Sequence, residues 1–189
     1  QANIPTQEPA KQTFTDVAPG FWGYEAIEEL YKAGIVNGVS NEEFAPDESI
    51  KREEFVKMLV ALTGLDVNGA VDTFTDTDKN AWYSPYLAVA QDCGLAYGKE
   101  DGSFGVGEVL TRQDMAVLIS RVKQFNDELE SINIAEFKDM KEISDYAKGG
   151  VFAMMQAGII NGYNDGCFRP KNLATRAEAA MMLYRALSK

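Results

Sequence analysis

Leu173-Ala174-Thr175-Arg176-Ala177-Glu178-Ala179-Ala180 decides how this chain is read, because its pattern occurs twice before. Leu110-Thr111-Arg112-Gln113-Asp114-Met115 is one earlier copy and Ile50-Lys51-Arg52-Glu53-Glu54-Phe55 the other. Each reads apolar, polar, Arg, any residue, acid, and each opens a run with helical periodicity. In the later copies a Thr stands three residues before an acid, so its hydroxyl can cap the helix while the carboxylate reaches back. The Arg needs a different explanation. A cation in the first helical turn meets the positive end of the helix dipole. Three such arginines at equivalent places call for a partner, and an anion held at the helix start would be one.

Working outward, the rest of the chain repeats with the same register. Phe14-Thr15-Asp16 recurs as Phe74-Thr75-Asp76 and Phe137-Lys138-Asp139. Gly34, Gly94 and Gly158 correspond, as do Gly38, Gly98 and Gly162, then Phe44, Phe104 and Phe168. The first helix of copy one carries Ala26, Ile27, Leu30 and Tyr31 at helical spacing and stops at Gly34. Its counterparts are expected over about 84–93 and 150–157. A turn-rich loop follows, richest in Gly162-Tyr163-Asn164-Asp165-Gly166. The second helix then begins at the Arg motif, with core stripes such as Phe55, Met58, Leu59 and Leu62.

These features predict an all-α protein of three helix-loop-helix repeats, over 14–70, 71–133 and 134–189, with residues 1–13 as a tether. A unit of this size with two short helices buries too little surface to stand alone. Three apolar faces packed together give a pseudo-threefold arrangement around a central three-helix bundle, with grooves between repeats.

Composition excludes much else. The 189 residues carry 29 acids against 18 bases, net −11, which argues against nucleic acid or an anionic membrane as partner. A locally placed Arg can still hold an anion, since screening confines the repulsive field to about 8 Å. No run of about 18 apolar residues is present, so no membrane insertion is expected. No signal-peptide pattern precedes Gln1, as expected of a processed or excised piece. There is no histidine, which removes imidazole metal sites and the commonest general base. Cys93 and Cys167 occupy non-equivalent places and read as incidental, with a disulfide as the alternative. Asn164-Asp165-Gly166 and Asp76-Thr77-Asp78 lack the ligand spacing of a calcium loop. The acids follow the repeat instead of converging once, as a glycosidase pair would. No enzyme activity, metal or cofactor is expected.

Taken together, Phe-x-Asp, Trp, Ala-Gly-Ile-x-x-Gly, Phe-x-Pro and Thr-Arg-x-Glu closely resemble the S-layer homology domain, in three tandem copies over residues 14–189. The resemblance implies a secreted module at the bacterial surface, part of a larger surface protein. Such a module is anchored non-covalently to the wall through pyruvylated secondary cell-wall polysaccharide bound in grooves between repeats. The family architecture, a central three-helix bundle with three prongs, agrees with the packing expected above. A protein-interaction or lattice-assembly role, or direct peptidoglycan binding, is the alternative.

The residues suit an acidic glycan. A guanidinium clamps a carboxylate through two parallel hydrogen bonds, the role assigned to Arg52, Arg112 and Arg176. Trp22, Trp82 and, in copy three, Tyr146 offer rings for a sugar face. Asp16, Asp76 and Asp139 stand as acceptors for sugar hydroxyls, as turn caps, or both. Gly38, Gly98 and Gly162 either let a ligand approach the backbone or serve the loop. The copies also differ. Lys51 replaces the capping Thr, Glu100 and Asp101 add acid to the loop of copy two, and Tyr146 is smaller than indole. One dominant site using Arg176 or Arg112 is therefore expected, with Arg52→Ala the mildest loss.

Overall fold

The computed structural model describes residues 12–122 and 137–187. Most of the expected tether and the 133–134 repeat boundary lie outside the described residues. Among the described residues the regular structure is helical: α1 (Tyr24–Lys32), α2 (Arg52–Thr63), α3 (Ser84–Asp92), α4 (Arg112–Val122), α5 (Lys148–Gln156) and α6 (Arg176–Leu187). Two 3-10 turns, Met140–Glu142 and Asp145–Ala147, lead into α5. Among the described residues no helix is long and apolar enough to cross a membrane. Cys93 and Cys167 are free thiols.

The first helix of every repeat stops in the same way. Gly34, Gly94 and Gly158 adopt φ of 72°, 71° and 68°. The next residue, Ile35, Leu95 or Ile159, donates its N–H back to Leu30, Ala90 or Met154 at 2.8–2.9 Å. This left-handed stop satisfies carbonyls that the helix end leaves open and turns a buried aliphatic side chain into the core. α5 begins two residues earlier than its periodicity suggests and takes in Gly149 and Gly150. The reason is packing against α4. A Cβ at Gly150 would lie 2.9 Å from the Val117 Cα, so glycine permits a close crossing that helix propensity alone argues against.

The helices interlock between repeats. α3 packs on α2, α5 on α4, and α1 on α6, so the first helix of each repeat lies on the second helix of the preceding repeat, with repeat one lying on repeat three. Among the described residues the two helices of one repeat do not pack on each other. α2, α4 and α6 also touch one another pairwise. They meet where their N-terminal strands of chain form a closed cycle: Ile50 N–H donates to Ala174 C=O (2.9 Å), Ala174 N–H to Leu110 C=O (2.9 Å), and Leu110 N–H to Ile50 C=O (3.1 Å).

The core is continuous. Phe14, Phe44, Phe55, Phe104 and Phe168 are fully buried together with Ile27, Leu30, Ile50, Leu59, Leu87, Met115 and Ile119. Burying each such side chain contributes roughly 1.5–3 kcal/mol, so the shared core, spread over three interlocked units, supplies what one repeat lacks.

Candidate functional site

Each loop between the helices of a repeat is shaped by its own Phe-x-Asp. Asp16 accepts the N–H groups of Phe44 (2.9 Å) and Ala45 (2.7 Å). Asp76 accepts those of Phe104 (2.6 Å), Gly105 (2.8 Å) and Val106 (3.0 Å), and Asp139 those of Phe168 (2.8 Å) and Arg169 (2.6 Å). Burial pushes the Asp76 carboxyl up, but its three backbone N–H donors outweigh that and hold it below the usual carboxylate range. The clamp stabilises an awkward backbone. Ala45 and Arg169 have φ of 57° and 58°, a left-handed conformation that costs an L-residue about 1–2 kcal/mol.

The loop glycines meet the ring of the same motif. A Cβ at Gly38 would lie 2.5 Å from the Phe14 ring and 2.4 Å from the Ser40 carbonyl oxygen. At Gly98 the Phe74 ring would be 2.6 Å away, and at Gly162 the Phe137 ring 2.4 Å. The close approach that glycine allows here is made by the protein's own aromatic side chain.

The motif arginines cross between repeats. Arg176 donates Nε–H to Phe44 C=O (2.8 Å) and Nη2–H to Asn37 C=O (2.9 Å), and its Nη1 is 3.5 Å from Glu54 Oε1. Arg52 donates in the same way to Phe104 C=O (3.0 Å) and Tyr97 C=O (2.9 Å). Arg112 donates to Phe168 C=O (2.8 Å) and to Glu178 Oε1 (2.7 Å). Each guanidinium also covers the Phe ring of that loop at 4.8–5.1 Å. Burial pushes the Arg176 guanidinium below its ordinary value, against the pull of Glu54, Glu48 and Asp16. Thus the partner that the dipole argument requires is present within the protein. The acids reach back as expected: Glu54, Asp114 and Glu178 accept the N–H of Lys51 (3.0 Å), Thr111 (3.2 Å) and Thr175 (3.0 Å). Copy one keeps this half of the cap without a Thr.

Two clefts result, built alike from three repeats. The larger, about 610 Å³, is walled by the Ile159–Asn164 loop and α6 of repeat three, with Arg112 entering from repeat two and Trp22 from repeat one. The smaller, about 330 Å³, is walled by the Asn37–Val39 loop and α2 of repeat one, with Arg176 from repeat three and Trp82 from repeat two. Both volumes suit a small ligand or glycan segment. The indoles are 56% and 55% exposed, whereas Arg112 and Arg176, which line the same clefts, are largely buried. At the third junction the corresponding residues are Arg52, Tyr97, Gly98, Asp114 and Tyr146. There the Tyr146 hydroxyl donates to Asp114 Oδ1 (2.6 Å) and accepts from Gln113 Nε2 (2.8 Å). Burial and then the Asp114 carboxylate push its pKa up to about 12.

The sequence pattern of the S-layer homology domain matches residues 13–56, 73–116 and 136–180. The chain belongs to the S-layer homology domain family. It is 32% identical over 180 residues to exoglucanase XynX of Acetivibrio thermocellus, covering 94% of this chain and 16% of that protein. It is 31% identical to an amylopullulanase of Thermoanaerobacterium thermosulfurigenes (94% and 10%). It is also 27% identical to the S-layer protein sap of Bacillus anthracis (93% and 21%). The chain thus spans about a fifth or less of these relatives' length. As an S-layer homology chain it is a cell-surface attachment module.

Sequence reading placed the motif residues of this S-layer homology chain together but not the repeats they serve. It also missed Lys57 and Arg185, which line the two clefts. Lys57 lies five residues after Arg52, whereas Arg185 lies nine after Arg176. Aligning the repeats pairs Arg185 with Arg121, nine residues after Arg112, but leaves out Lys57, whose Nζ ends at the equivalent carbonyl.

Proposed function

We propose that this chain holds a larger surface protein on the bacterial cell wall by non-covalent binding of pyruvylated secondary cell-wall polysaccharide in its inter-repeat clefts. The observation that carries the reading is the twofold recurrence of one arrangement, an exposed indole and a guanidinium lining one cleft beside a loop whose backbone is fixed by Asp and Gly. A sugar ring packs its C–H face on Trp22 or Trp82. The acidic substituent points inward toward the cationic wall, formed by Arg112 with Arg185 in one cleft and by Arg176 with Lys57 in the other. Asp16, Asp76 and Asp139 serve by holding the loop, and Gly38, Gly98 and Gly162 by admitting the Phe ring beneath it. The Arg52 junction, where Tyr146 is tied to Asp114, binds least.

Co-sedimentation with purified wall sacculi tests the proposal. Binding is expected to intact sacculi and to disappear once the secondary polymer is stripped or when the polymer lacks pyruvyl groups. Undiminished binding to stripped sacculi would assign the clefts to peptidoglycan or protein instead.

A further inference from the structure

A second cation stands in each cleft, and it is the one that lacks a carboxylate. In the larger cleft Arg112 is already neutralised by Glu178 at 2.7 Å. In the smaller, Arg176 has Glu54 at 3.5 Å. Arg185 lines the first cleft and Lys57 the second, and among the described residues neither has a carboxylate within salt-bridge distance. Each is half-buried and tethered at one point. Arg185 Nη1 donates to Ile159 C=O (3.2 Å) and Lys57 Nζ to Ile35 C=O (3.1 Å). Those carbonyls are equivalent, each belonging to the residue that follows the glycine helix stop.

The convergence comes from different sequence positions and different residue types. A Lys midway along α2 and an Arg late in α6 reach equivalent carbonyls beside the same kind of cleft. Arg121 late in α4 makes the same contact at the third junction, Nη1–H to Leu95 C=O at 3.5 Å, so the contact itself belongs to the fold; Lys57 and Arg185 differ in lining a cleft that also holds an exposed indole. Burial lowers the pKa of both groups; no acid offsets this at Lys57, and Arg112 adds repulsion at Arg185. A partly desolvated cation without a counter-charge gains most from an incoming anion.

We propose that Lys57 and Arg185 are the groups that recognise the acidic substituent of the bound glycan, while the motif arginines chiefly join repeat to repeat and shape the cleft. This rests on the acidic-glycan reading above and names the residues that give it charge selectivity. One N–H of Lys57 or Arg185 stays on the backbone carbonyl and aims the remaining donors into the cleft. A carboxylate placed there completes an ion pair that the folded protein otherwise leaves open.

The test uses two probes on the full chain by calorimetry: a wall disaccharide carrying one pyruvyl ketal, and the same disaccharide after mild acid has removed the ketal. The parent is expected to prefer the pyruvylated form at least about tenfold, and that preference to weaken with salt. In the Lys57→Gln, Arg185→Gln double variant the preference should collapse to less than about threefold, because affinity for the pyruvylated form falls toward that for the neutral disaccharide. Lys57→Arg should retain it. If Arg185→Gln loses the fold in a melting control, Arg185→Met, which keeps the apolar stem, replaces it. A folded double variant that keeps the full preference overturns the inference and returns the anion to Arg112 and Arg176. A parent with no preference for the ketal defeats the pyruvyl-glycan reading itself, and this inference with it.

Discussion

At Arg176 the side chain bonds to carbonyl oxygens 132 and 139 residues away in the sequence. The Thr-Arg-x-Glu motif was legible, and so was the need for a partner at a helix start where the dipole disfavours a cation. The partner's identity was not, because it depends on repeat three closing onto repeat one. A lysine at this position keeps the charge but cannot span Phe44 C=O and Asn37 C=O with one planar group. Arg176→Lys is therefore expected to lower folding stability by about 2 kcal/mol or more, since a buried carbonyl loses a charge-assisted donor. Thermal unfolding without ligand checks this. An unchanged melting temperature would reassign Arg176 from a joint between repeats to a ligand clamp.

Among the helices, the stops at Gly34, Gly94 and Gly158 could be read from the chain, because a glycine after an apolar stripe has one common use. The pairing of helices could not. Hydrophobic spacing marks which face of α1 is buried but not what covers it, and the covering helix is α6, at the far end of the sequence. Similarly, Gly149 and Gly150 argue against helix on propensity; the close passage of Val117 explains Gly150, while a Cβ at Gly149 would meet nothing. Since α1 depends on α6 and α5 on α4, deleting residues 137–189 should remove more than one repeat's share of order. The remaining chain is expected to lose its cooperative melting transition and most of its helical circular dichroism. A shortened chain that melts sharply with two-thirds of the parent signal would show that the repeats fold separately.

For the whole molecule, a net charge of −11 and anion recognition are compatible because Lys57, Arg112, Arg176 and Arg185 line clefts while most acids among the described residues face solvent. The twofold recurrence of that cleft depends on each being assembled from all three repeats, an arrangement that periodicity suggests but does not specify. Both of the chain's tryptophans lie in these clefts, Trp22 in one and Trp82 in the other. Their emission therefore reports the two sites with no other indole contributing. The most direct measurement is titration of the Trp22→Phe and Trp82→Phe variants with the pyruvylated disaccharide, followed by fluorescence alongside calorimetry. A saturable change from the remaining indole in each variant, with the midpoint matching the calorimetric one, is the predicted result. Calorimetric binding that leaves both indoles unchanged would place the glycan elsewhere and contradict the assignment of the clefts.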